Sequence, residues 1–215
     1  ACRRMTFAAG EEPIGGTSWW LDPVCLGRYP DTTGYSYEPY LPEKTAEDMK
    51  IISQPIDFIG MNVYQTYRGK AGENGTCITI PNDPGYARTN AEWPVTPEAL
   101  YWGPKFYEER YHKKLYITEN GLSNQDWIFL DGQVHDPQRI DFLHRYLHHL
   151  KRAVQEGVPV EGYFHWTLTD NFEWISGYNN RFGLVYTDFK NQNRIIKDSG
   201  KWYRQVIETN GEIIK

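Results

Sequence analysis

Apolar positions recur along the chain at two spacings. Ile140, Leu143, Leu147, Leu150 and Val154 lie three, four, three and four apart, which predicts one buried stripe on an α-helix. Asp136 stands before that helix as a capping residue, Pro137 suits its first position, and Gly157 suits its end. Short unbroken apolar runs predict buried strands over 57–62, 114–118 and 158–166. Further helices are predicted from Thr45 to about 54, where Asp48 completes a reciprocal cap and Pro55 stops the run, and over 199–208. Another, over 97–112, is expected to be interrupted at Gly103-Pro104. A hairpin-like stretch is predicted over 182–186, and the slightly basic 189–194 reads as a turn. Residues 8–42 follow neither period. Their Gly, Pro and Asp content predicts a long irregular connection anchored by Trp19, Trp20, Tyr29, Tyr35 and Tyr37. A loop is predicted around Gly69, Gly72, Gly75, Pro81 and Pro84. Residues 1–7 read as the inside of a helix, with no initiator Met or apolar leader, so the chain is expected to begin mid-fold.

Strands alternating with helices predict a parallel sheet with crossover helices. Three strands are few for 215 residues. An open three-stranded sheet would bare its faces and both edges. Either something caps the sheet, or the chain is part of a larger barrel.

Composition narrows the function. Lys plus Arg is 23 and Asp plus Glu is 28, a balance of −5 that argues against a partner held through phosphates, so no nucleic acid is expected. No apolar run is long enough to span a bilayer, and no membrane partner is expected. Three cysteines (Cys2, Cys25, Cys77) match neither a disulfide framework nor a zinc motif, which leans towards a cytoplasmic location. Cys25 and Cys77 read as inert fillers. Aromatic residues make up 15% of the chain. Such rings fill cores, and they also stack against the C–H faces of sugars.

Three segments carry chemistry. Leu115-Tyr116-Ile117-Thr118-Glu119-Asn120-Gly121 runs an apolar strand into a carboxylate. At the C-terminal end of a barrel strand, such a Glu is rigidly aimed at an active site. It would serve equally as a helix cap or dipole partner. In the segment 162–174, Trp166 ends a strand, and Glu173 and Trp174 follow on its loop. A carboxylate beside an indole suits a sugar, although both rings could simply plug a barrel mouth. Gly60-Met61-Asn62-Val63-Tyr64 is again a strand end with polar groups. His144 and His148, one helical turn apart, could ligate a metal, but a solvated helix face is the simpler expectation, so neither metal nor cofactor is expected.

Together these segments resemble glycoside hydrolase family 1, the β-glucosidase family, over nearly the whole chain. Arg3-Arg4, Leu21-Asp22-Pro23, Tyr29-Pro30, Gly177-Tyr178 and Arg181-Phe182-Gly183-Leu184-Val185-Tyr186 extend the likeness. The resemblance implies an α/β fold: the C-terminal part, about the last three strands, of a (β/α)8 TIM barrel. Residues 1–215 would be one incomplete domain, with the N-terminal strands elsewhere. It also implies roles. Glu119 matches the nucleophile, and Tyr64 the hydroxyl that bonds it, with Asn62 alongside. Trp166 matches the floor beneath the glycone, Glu173 and Trp174 the pair that recognises its 4- and 6-hydroxyls, Trp93 an aglycone-side aromatic, and Phe182 a pocket wall. The family's acid/base lies in an Asn-Glu-Pro motif, which this sequence lacks.

The implied activity is retaining hydrolysis of terminal β-D-glucosyl residues from β-glucosides or cello-oligosaccharides, with galactosides or fucosides as alternatives. A retaining glycosidase needs two carboxyls, so the chain alone is expected to be inactive. A complementing N-terminal half or self-association is expected to cover the open edges. The competing reading is a non-catalytic carbohydrate-binding or assembly module derived from such an enzyme.

Overall fold

A computed structural model describes residues 2–7, 16–73 and 77–215. Residues 8–15 of the expected irregular connection, and Gly75 of the expected loop, lie outside the described residues. The chain divides into two compact units.

The first unit comprises 1–58, 67–81 and 110–112. It contains α1 (Cys2–Thr6), α2 (Thr17–Leu26), α3 (Ala46–Ile52) and an antiparallel hairpin of β2 (Arg68–Ala71) and β3 (Cys77–Ile80). The Thr45 and Asp48 capping box begins α3 as expected. Two elements depart from expectation. Helix α2 forms within the stretch read as irregular, with Pro23 inside it. Asp22, just before that proline, is buried and accepts hydrogen bonds from Arg110 Nε (2.9 Å) and Tyr111 Oη (2.9 Å). Those tertiary bonds outweigh the local helix-breaking signal. The β2–β3 hairpin occupies the stretch read as a loop, because the β-branched run Ile78-Thr79-Ile80 pairs with Arg68-Gly69-Lys70.

The second unit comprises 59–66, 82–109 and 113–215. Its sheet has strand order β1 (Phe58–Asn62), β4 (Lys114–Asn120), β5 (Val160–His165), with β4 and β5 parallel. Helix α4 (Ala99–Tyr111) runs through Gly103-Pro104 without the expected interruption, because Pro104 is fully buried and its packing offsets the missing N–H. Strand β4 extends to Asn120, two residues past its expected end, and β5 is shorter than expected at both ends. The hairpin lies slightly later than expected, as β6 (Val185–Thr187) against β7 (Arg194–Ile196), with 188–193 as its turn. Helix α6 (Asp198–Glu208) closes the pattern.

Helix α5 (Pro137–Gln155) shows how a pattern can be nearly right. Its buried face is Arg139, Phe142, Leu143, Tyr146, Leu147, Leu150 and Ala153, while Val154 is exposed. The face is therefore turned slightly, with a charged side chain inside it. Asp136 precedes α5 without capping it. Its carboxylate instead accepts from Arg139 Nη1 and from the Ser199 N–H (2.8 Å) and hydroxyl (2.5 Å). His148 is exposed as expected, whereas His144 turns a buried Nε2 inward near the Trp202 ring. No described helix is long and apolar enough to cross a membrane.

Candidate active site

Glu119 sits at the end of the central strand, one residue before β4 finishes. The backbone there is tied to both neighbours. The Val63 N–H donates to the Glu119 carbonyl (2.9 Å), and the Trp166 N–H donates to the Asn120 carbonyl (2.9 Å). Asn120 is fully buried. Its Nδ2 donates to the Val63 carbonyl (2.8 Å) and its Oδ1 accepts from Tyr163 Oη (2.8 Å). At Gly121 a Cβ would meet the Trp166 carbonyl oxygen at 1.9 Å. Only glycine allows the chain after Glu119 to pass this close to Trp166.

Around this point six of the eight expected residues form a connected group. Tyr64 Oη donates to Glu119 Oε2 at 2.7 Å. The Tyr64 ring lies 5.1 Å from the Trp93 ring and 6.2 Å from the Phe182 ring, and Trp93 and Phe182 are 6.1 Å apart, centroid to centroid. Trp166 Nε1 donates to Glu173 Oε1 at 3.1 Å, and the Trp166–Thr167 peptide is cis. Burial raises the Glu173 pKa above the usual carboxylate range, the Trp166 indole N–H opposes this, and the charge of Glu119 adds to it. Burial, with the hydrogen bond and charge of Glu119, also pushes the Tyr64 hydroxyl well up, so it remains a donor at neutral pH. Two residues stand apart. Asn62 Oδ1 accepts from Thr118 Oγ1 (2.7 Å), and Trp174 is 82% exposed.

Residues that the sequence pattern did not single out hold the group in place. Tyr146 Oη on α5 donates to the Tyr64 carbonyl (2.9 Å) and accepts from the Thr96 N–H (2.9 Å). Below the loops lies a buried ionic cluster. Lys197 Nζ contacts Asp126 (2.5 Å) and Asp170 (2.8 Å), Arg139 Nη2 contacts Asp126 (2.8 Å), and Arg181 Nη1 contacts Asp170 (2.6 Å). Asp170 lies between Trp166 and Glu173 in sequence and also accepts from the Gly183 N–H (2.9 Å). A Cβ at Gly183 would meet the Asp170 nitrogen at 2.3 Å. The loop carrying Trp166 and Glu173 is thereby fastened to the segment carrying Phe182. One signal was available: Arg139 falls three and four residues before Phe142 and Leu143, on the apolar face.

The family model for glycosyl hydrolase family 1 matches residues 7–212. The chain belongs to this family. A 1,4-β-D-glucan glucohydrolase of Thermotoga neapolitana is 43% identical over 193 residues, 89% of this chain and 44% of the relative. Beta-glucosidase A of Thermotoga maritima is 42% identical over 89% of this chain and 43% of its own length. The solved structure of the Thermotoga maritima beta-glucosidase in complex with noeuromycin aligns with a TM-score of 0.81 at 41% identity, over 91% of this chain and 44% of that one. The fold is thus the C-terminal part of a (β/α)8 barrel, as the family resemblance implied, and the chain spans under half the length of these relatives.

Proposed function

We propose that this family 1 chain is the nucleophile-bearing part of a retaining β-glucosidase, and that residues 1–215 form one incomplete barrel domain. The observation that carries the reading is the 2.7 Å hydrogen bond from Tyr64 to Glu119, at the end of the central strand, beside the Trp166–Glu173 pair. In this reading Glu119 attacks the anomeric carbon and forms the glycosyl-enzyme. Tyr64 holds the attacking carboxylate in position. Trp166 underlies the glycone, Glu173 and Trp174 recognise its 4- and 6-hydroxyls, Phe182 walls the pocket, Trp93 faces the leaving group, and Asn62 borders the glycone. Hydroxyl donors from a bound sugar would relieve the burial that disfavours ionised Glu173. A carboxylate at that position repels a 6-phosphate, so the substrates are unphosphorylated β-glucosides or cello-oligosaccharides, with galactosides or fucosides as alternatives.

The second carboxyl comes from outside this sequence, which has no Asn-Glu-Pro. Without it the leaving oxygen departs unprotonated, at a typical loss of about 10²–10⁴-fold. The chain alone is therefore expected to be inactive, and a complementing N-terminal half to complete it. Both outer strands of the sheet, β1 and β5, have a strand neighbour on one side only among the described residues, which supports such a companion. The test joins residues 7–215 behind the preceding part of the Thermotoga maritima relative and measures 4-nitrophenyl β-D-glucoside hydrolysis. Turnover that Glu119→Gln lowers on the order of 10⁴-fold or more is the expected result. Turnover indifferent to Glu119, or sugar binding with no turnover, would overturn the reading in favour of a binding module.

A further inference from the structure

The loop after β4 holds four consecutive apolar residues, Trp127-Ile128-Phe129-Leu130, on the surface. Trp127 is 59% exposed and Leu130 wholly so. This exposure does not arise from a missing neighbour in the sheet, since β4 is the central strand and its loop is flanked on both sides within this chain. The Asn90 N–H donates to the Ser123 carbonyl (3.1 Å) on one side, and Asn124 pairs with Arg181 on the other.

The rings are held firmly. Trp127 and Phe129 stack with centroids 5.1 Å apart and planes within 14°. Phe129 is braced edge-on by His135 at 5.0 Å, which is itself fixed between Asp198 (2.5 Å) and Asp131 (2.9 Å). The turn is closed by the Phe129 N–H donating to the Gln133 carbonyl (2.8 Å) and the Gly132 N–H to the Phe129 carbonyl (2.9 Å). On the other side Trp127 follows Asp126, which is anchored in the buried ionic cluster. A flat indole is therefore presented to solvent in a preset orientation, bordered by polar side chains.

We propose that Trp127 and Phe129 form a second sugar-binding surface, outside the candidate active site, for the glucosyl rings of a β-linked glucan chain. Three observations choose this occupant. Four side chains are far too few for a stable interface with a second copy, which needs roughly 800 Å² and 20–30 residues per partner. A nucleobase would also stack, but the chain charge of −5 disfavours its phosphates, and among the described residues no cation stands free beside the rings, since Lys201 is paired with Asp198 and His135 lies between Asp131 and Asp198. A neutral ring with C–H faces and a hydroxyl rim suits the exposed indole face and the polar side chains around it. The choice of a glucan rests in part on the β-glucoside reading above, while the binding itself requires neither Glu119 nor an acid partner.

Isothermal titration of the full chain with cellohexaose tests this. Saturable binding is expected, with Trp127→Ala weakening it roughly tenfold, Trp127→Phe retaining most of it, and Trp166→Ala leaving this component in place. Thermal unfolding of each variant checks that it folds; if Trp127→Ala does not, Phe129→Ala replaces it with the same expected loss. No binding by the parent chain, equal binding by Trp127→Ala, or self-association in light scattering that Trp127→Ala abolishes would each overturn the proposal. Loss of hydrolysis in the joined barrel with cellohexaose binding intact would instead sink only the enzymatic reading.

Discussion

Replacing Lys197 with methionine tests how the candidate site is supported. Lys197 is fully buried and its ammonium bridges Asp126 and Asp170. Burial lowers its pKa and the neighbouring Arg139 adds to this, while the two carboxylates pull it back up. With Asp136, the cluster holds three carboxylates against Arg139, Arg181 and Lys197, a balance of 3 − 3 = 0. Methionine fills similar space and leaves one negative charge uncompensated. Breaking a buried ion pair typically costs about 3–5 kcal/mol. Here each carboxylate keeps a guanidinium, Arg139 for Asp126 and Arg181 for Asp170, so the lower end, about 3 kcal/mol, is expected. For a chain of this size that is a fall in Tm of roughly 6–12 °C. Urea unfolding reads the free-energy loss and thermal unfolding the fall in Tm, both followed by circular dichroism. Adding Asp170→Asn should cost less in the Lys197→Met background than in the parent, by about 1 kcal/mol or more, because it restores neutrality. A Lys197→Met variant within about 0.5 kcal/mol of the parent would refute the idea that this charge balance supports the loops.

Other outcomes follow from single contacts. Gly121→Ala drives a Cβ into the Trp166 carbonyl and should cost about 3 kcal/mol in urea unfolding; an unchanged midpoint would show that the two strand ends separate freely. His165 has its pKa lowered to about 3, first by burial and then by Arg139, with its Nε2 beside the Phe182 carbonyl (3.2 Å). An unfolded histidine takes up its proton near pH 6.5, so this contribution is complete above that pH. It declines between about 6.5 and 3, by up to about 1.4 kcal/mol per pH unit. His165→Asn should flatten that part of the stability profile; an identical slope would count against a buried neutral imidazole. In the joined barrel Tyr64→Phe removes the donor to Glu119 and should lower kcat about tenfold or more with little change in KM. A change confined to KM would assign Tyr64 to substrate binding instead.

The strand ends were the most legible part of the sequence. An apolar run ending in Glu119-Asn120-Gly121 marks the centre of the sheet and the site together, because buried strands and their exits obey local rules. The cap at Thr45 was legible for the same reason. What escaped depends on distant partners. Helix α2 forms through Pro23 because Asp22 meets Arg110 and Tyr111 far along the chain. Lys197 looks like an ordinary surface charge until Asp126 and Asp170 are placed beside it, and only its place on the apolar face of α5 marks Arg139. Trp93 and Phe182 needed the fold to meet across Tyr64. Asn62 shows the reverse case: next to the correct strand end, its side chain is taken by Thr118.

The shared anchoring of Asp126 and Asp170 by one lysine makes two loops mechanically a single part. Trp127 on one and the Trp166–Glu173 pair on the other inherit their aim from the same ammonium. Redesign of the candidate cleft would therefore best begin at Trp93, which is carried by a different segment, since a change beneath that linkage would misalign both aromatic surfaces at once.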